Sequence, residues 1–96
     1  MIKTLYSVYD IKAVFYGMPF EAKSDGDAAR MFSGACKDQS SMLGQYPSDF
    51  QLFKVGSFDD HAGQMSSITP VFIMSGSEVF ANADIQPVQS AAQKSR

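Results

Sequence analysis

The sequence predicts an α+β domain: a small, mainly antiparallel sheet with one main helix packed on one face. Three observations carry this. The chain has 96 residues, one domain's worth. Hydrophobic residues make up 45% of it and charged residues 19%, the balance of a chain that folds around a core and not of a disordered one. Several short segments are dominated by β-branched and aromatic residues, and one segment combines helical spacing with a capping residue in front of it.

Residues 2–9 contain Ile2, Thr4, Leu5, Tyr6, Val8 and Tyr9, a strand composition with apolar side chains on both faces. Such a strand belongs inside its sheet. Residues 9–12 read as a turn, and residues 13–16 (Ala13, Val14, Phe15, Tyr16) as a second short strand ended by Gly17 and Pro19. Phe20 to Lys23 then alternates apolar and charged, as a half-buried segment near a sheet edge does. Ser24 is a helix N-cap whose hydroxyl can accept from the backbone three residues on, and Asp25 and Asp27 suit the positive end of the helix dipole. The spacing predicts a helix over 25–37 with Ala28, Phe32, Ala35 and Cys36 on one stripe. Gly26 and Gly34 weaken it by about 1 kcal/mol each relative to alanine, so it depends on packing against the sheet.

Residues 38–49 are polar, with Gly44 and Pro47, and form a loop with room for one short helical turn. Residues 50–58 form the next strand, and Asp59 to Gly63 a turn in which Gly63 supplies positive φ. Residues 64–68 return as the second arm of a hairpin that Pro70 ends. Residues 71–74 form a separate apolar strand, and 78–81 a short helix or strand. The predicted core is Phe32, Phe50, Leu52, Phe53, Val55, Val71 and Ile73. The domain spans 1–85. From Gln86 the chain turns to Gln, Ser and Ala, which predicts a mobile tail over 86–96.

Composition also bounds function. Cys36 is the only cysteine, so no internal disulfide can form and nothing points to an oxidising compartment. Residues 1–4 lack the apolar run of a signal peptide, and no stretch nears the ~20 apolar residues that span a bilayer. A cytoplasmic protein is expected. The formal charge is −2, which disfavours a purely electrostatic grip on nucleic acid. Lys94 and Arg96 make the tail locally basic.

Three motifs resolve into ordinary structural roles. His61 follows Asp59 and Asp60, but adjacent side chains on a tight turn diverge and no second histidine exists to complete a metal or acid–base site. Cys36 sits on the apolar helix stripe as a small hydrophobe. Ser24-Asp25-Gly26-Asp27 lacks the later ligands of a calcium loop. No enzyme activity, metal or cofactor is expected. One constellation remains. Tyr6, Tyr9, Lys12, Phe15 and Tyr16 interleave rings with a cation near Lys3 and Lys23. Rings beside lysines on a sheet bind single strands without sequence preference, because bases stack and cations follow the backbone. Phe15 is assigned to the core. The candidate nucleic-acid contacts are Lys3, Tyr6, Tyr9, Lys12, Tyr16 and Lys23.

The order Leu5-Tyr6-Ser7-Val8-Tyr9-Asp10, then Pro19-Phe20-Glu21-Ala22-Lys23-Ser24-Asp25 before the helix, then Tyr46-Pro47-Ser48-Asp49-Phe50-Gln51-Leu52-Phe53-Lys54-Val55-Gly56-Ser57-Phe58-Asp59-Asp60 with Gly63 resembles the small nonstructural protein of gokushovirus-like microviruses, phages with circular single-stranded DNA genomes. The likeness covers roughly residues 4–75. It implies a viral, non-capsid protein acting in the cytoplasm of an infected bacterium, of a kind described as DNA-binding or assigned to single-stranded DNA synthesis and packaging. It carries no catalytic residues. The expected function is therefore a non-enzymatic phage accessory protein that binds single-stranded DNA in genome replication or packaging. The alternative is an oligomeric assembly or host-interaction protein acting through viral or host protein contacts. Self-association as a twofold dimer is expected in either case, from the surplus of aromatic surface and the need to protect a sheet edge.

Overall fold

Residues 1–85 are described by the computed structural model. The predicted tail over 86–96, with Lys94 and Arg96, lies outside the described residues. The strand β1 (Ile2–Asp10) has partners on both edges, as its two-faced apolar pattern requires. On one side lies β4 (Phe50–Asp59), antiparallel from Ile2↔Asp59 to Asp10↔Phe50. On the other side β2 (Phe15–Tyr16) pairs with Tyr9 and Asp10, and β3 (Phe20–Ala22) pairs with Thr4 to Tyr6. Between them the Gly17 N–H donates to the Val8 carbonyl at 2.9 Å and the Ser7 hydroxyl donates to the Gly17 carbonyl at 2.7 Å. Pro19, with no N–H to give, sits in this break. The outer strand β5 (Gln64–Ser75) pairs antiparallel with β4, and the sheet curls into a half-barrel.

The helix α1 (Asp25–Lys37) begins where the capping residue places it: Ser24 Oγ accepts from the Asp27 N–H at 3.0 Å. Its Ala28, Phe32 and Cys36 meet Tyr6, Ala22, Phe50 and Leu52 of the sheet in one buried cluster. Burial pushes the Cys36 thiol up, which suits an inert hydrophobe. After α1 come a single turn, α2 (Met42–Gln45), and a 3₁₀ turn at Pro47–Asp49.

The one-helix description needs revision. A further helix, α3 (Gly76–Ile85), follows β5 and adds Val79 to the same core. Its start lies so close to the Pro47 carbonyl that a Cβ at position 76 would collide with it, so Gly76 allows the docking. That is a tertiary contact, invisible in a segment as short as 78–81.

Pro70 does not end the hairpin either: β5 runs through it as one strand. Proline is tolerated on an outer strand, where no ladder bond is required of it, and the register to β4 shifts on both sides of Val71 and Phe72. The proline and the bulges blunt this edge against further pairing. Gly56 stands where a side chain would strike the Ser66 carbonyl across the bulge. At the hairpin tip Asp59 Oδ1 accepts from the His61 N–H at 2.9 Å, and Gly63 takes φ +69°. His61 is a turn residue.

Phe32, Phe50 and Leu52 are buried as predicted. Phe53, Val55 and Ile73 are half-buried, and Val71 is 48% exposed. Val71 lies on the outer strand opposite Lys54, whose side chain reaches Asp25 instead of covering it. Ala13 and Val14 belong to the turn after β1, leaving β2 with two residues. Phe15, assigned to the core, is 57% exposed: it sits opposite Asp10 at the end of the sheet, outside the buried cluster.

Candidate nucleic-acid interface

Residues directly opposite in a ladder share a face, and successive residues alternate. Tyr6, Val8, Phe20, Ala22 and Leu52 therefore belong to the face that α1 and α3 cover. The alternate positions Tyr9, Phe53 and Phe72 face the other way, and Tyr16 joins them through its pairing with Tyr9. They form a row across all four strand positions of the sheet. Ring centroids are 4.7 Å apart for Tyr9–Tyr16, 5.5 Å for Tyr16–Phe53, 6.2 Å for Tyr9–Phe53 and 5.7 Å for Phe53–Phe72. The contacts at Phe53 are edge-to-face, with interplanar angles of 74° to 81°, a favoured geometry for ring pairs. Tyr16 and Phe72, at the two ends, are 42% and 49% exposed; Tyr9 and Phe53 between them are half-buried.

The ladder partners of the row are uncharged. Tyr9 faces Gln51, which faces Ser75; Phe53 faces Ser7. Several of the chain's carboxylates lie elsewhere: Asp25 and Asp27 at the start of α1, Asp59 and Asp60 at the hairpin tip, Glu21 with Lys3; Asp10, next to Tyr9, holds the turn that carries Lys12.

Of the six predicted contacts, Tyr9 and Tyr16 lie in the row. Lys12 lies on the turn that joins the strands carrying them; it is exposed, and its backbone N–H donates to Asp10 Oδ1 at 3.0 Å. Tyr6 is corrected: it is 1% exposed, on the helix side, and can stack no base. Its hydroxyl donates to Asp25 Oδ1 at 2.7 Å, and Lys54 Nζ lies 3.2 Å from the same oxygen. Burial, then the Asp25 carboxylate, push the Tyr6 hydroxyl up to about 12, while the Tyr6 hydrogen bond, helped by Lys54, holds Asp25 below the usual carboxylate range. Lys3 is on the open face but six residues up β1 from Tyr9, about 20 Å at ~3.3 Å per residue. It is paired with Glu21 at 3.2 Å and Asp60 at 3.9 Å. Lys23 leads from β3 into the cap of α1, at the Thr4 end of β1 and away from the rings.

Phe53 and Phe72 were missed as surface rings. The signal was present for Phe53: if Leu52 faces the core, the period of two turns Phe53 to the opposite side.

On the helix side a cavity of about 200 Å³ opens beside α1, lined by Val8, Phe20, Met31, Phe32, Ala35 and Leu43. Among the described residues no group of three or more His, Cys, Asp or Glu side chains could hold a metal ion, and no helix is long and apolar enough to cross a membrane.

No curated protein and no solved structure matches the chain. The family model described as Phage ORF5 protein matches residues 3–79, most of the chain, and the protein belongs to that family.

Proposed function

We propose that this phage protein is an accessory factor that binds single-stranded DNA through the rings of Tyr16, Tyr9, Phe53 and Phe72, in replication or packaging of a microvirus-type genome in the host cytoplasm. The observation that carries this is the row itself: aromatic side chains aligned across a sheet face that the helices leave bare. Such rings accept any unpaired base by its π-face, so binding is sequence-tolerant. Lys12 is the one predicted cation beside the row. The salt dependence is therefore shallow, with a slope of about 0.7 per phosphate contact on single strands. Duplex DNA binds less well because its bases are not open to stacking.

Fluorescence anisotropy with a labelled unstructured oligonucleotide tests the reading. Tyr9→Ala and Phe53→Ala each cost about 1–3 kcal/mol of binding if a base stacks there. Binding that survives both but vanishes on deleting residues 86–96 moves the contact to Lys94 and Arg96. Absence of binding by the folded protein at low salt leaves the alternative, a module acting through viral or host proteins or through a second copy of itself. The apolar cavity beside α1, with Met31 on its rim 48% exposed, is the feature that favours this second reading.

A further inference from the structure

The cavity beside α1 is walled by apolar side chains alone: Val8 and Phe20 from the sheet, Met31, Phe32 and Ala35 from α1, and Leu43 from α2. Its volume is about 200 Å³. A cavity of ~150 Å³ with walls of this kind takes a benzene ring. The space therefore suits one phenyl side chain, and the walls offer a polar ligand no hydrogen-bond partner. A ring stands beside it. Phe15 pairs with Asp10, and Asp10 lies two residues from Val8 on β1, so Phe15 shares the helix-side face with Val8 and is its diagonal neighbour across the ladder. The segments that wall the cavity carry exposed methionines as well. Met18, 88% exposed, lies between Phe20 and Gly17, whose N–H donates to the Val8 carbonyl. Met31 is on the rim, and Met42, 61% exposed, precedes Leu43. Methionine adapts its shape to a partner and is favoured at docking surfaces. At about 200 Å² for a large apolar side chain, Phe15 and the three methionines offer roughly 500 Å², more than half of the ~800 Å² that each partner gives to a standard interface.

Two properties of this surface indicate its occupant. It carries an exposed ring and a recess of matching size side by side, which is what a surface needs to fit its own copy across a twofold axis, where residue i meets j and j meets i. Neither the ring nor the cavity wall is charged, so two copies meet there without like-charge repulsion. We propose that a second copy of this chain docks here, as a twofold dimer in which Phe15 of each protomer enters the cavity of the other, with Met18, Met31 and Met42 packed around the two rings. The surface lies on the helix side of the sheet, so the dimer leaves the row of Tyr16, Tyr9, Phe53 and Phe72 open. The proposal therefore does not rest on the nucleic-acid reading.

Sedimentation equilibrium over the micromolar range tests this on the full chain. The wild-type protein forms a species of twice 10.5 kDa. Phe15→Ser removes the ring, and Ala35→Phe fills the cavity; circular dichroism verifies that both variants fold. Each symmetrical variant dimer loses two ring insertions, so its dissociation constant rises at least about thirtyfold. An equimolar mixture of the two variants regains one insertion, the Phe15 ring of the filled variant in the open cavity of the ringless one. The mixture associates at least about fivefold more tightly than either variant alone. A wild-type protein that stays at 10.5 kDa at high micromolar concentration overturns the second copy as occupant and leaves the cavity to a different protein. A dimer whose dissociation constant is unchanged in Phe15→Ser forms through another surface and overturns the assignment. A mixture no tighter than its components overturns the reciprocal insertion.

Discussion

Removing the Tyr6 hydroxyl tests the placement of this ring in the core, bonded to Asp25. In Tyr6→Phe the ring and its packing stay, and only the hydrogen bond to Asp25 is lost. A hydrogen bond to a charged partner contributes about 1.5–3 kcal/mol. The Asp25 side chain is 52% exposed and keeps Lys54, so water replaces the lost donor and the cost falls near the lower end, about 1.5 kcal/mol. The pH dependence adds a second signature. Tyr6 is raised in the folded state, so its contribution is present below the unfolded value near 10 and lost as pH rises through about 12. One pH unit above the unfolded value, near pH 11, about 1.4 kcal/mol has gone in the wild type and none in the variant, so the gap between them nearly closes. Asp25 is lowered in the folded state, so its contribution is present above the unfolded value near 4, and the gap also narrows as pH falls through the folded value. The other three tyrosines are common to both proteins and cancel in the comparison. Urea denaturation followed by circular dichroism near pH 7 and near pH 11 measures both effects. A variant as stable as wild type at neutral pH would show that Tyr6 makes no such bond, and a gap unchanged in alkali would show that its hydroxyl is not buried.

The packing makes three further predictions. Phe32→Ala empties the centre of the helix–sheet contact and costs about 3–5 kcal/mol; a melting temperature within a degree or two of wild type would refute the docking of α1. Gly56→Ala forces the β4–β5 hairpin apart at the Ser66 carbonyl and costs about 1–3 kcal/mol, read as a lower urea midpoint. Val14→Asn, a residue that tolerates the left-handed region, stabilises the protein by about 1 kcal/mol, seen as a raised melting temperature; a fall would mean that the valine is held there by contacts.

Local chemistry made part of this protein legible without coordinates. Ser24 and its two following aspartates define the start of α1, because capping and the helix dipole act within one turn. The two-faced apolar run of residues 2–9 identifies an interior strand, and Asp59 with Gly63 the hairpin turn, for equally local reasons. The phage family was legible from the block around residues 46–60. Tertiary structure decided what depends on partners distant in sequence. Tyr6 and Tyr9 stand three residues apart on a regularly paired stretch of β1, so they face opposite ways; that Tyr6 is the one in the core was decided by where α1 packs, with the Asp25 carboxylate at its start receiving the Tyr6 hydroxyl. Phe53 and Phe72 become surface rings only because α1 and α3 pack on the opposite side. Val71 and Phe15 are apolar enough for a core, but they lie where no helix covers the sheet. Periodicity states that a strand has two faces; which one the helices cover is settled by the sum of packing over the whole domain.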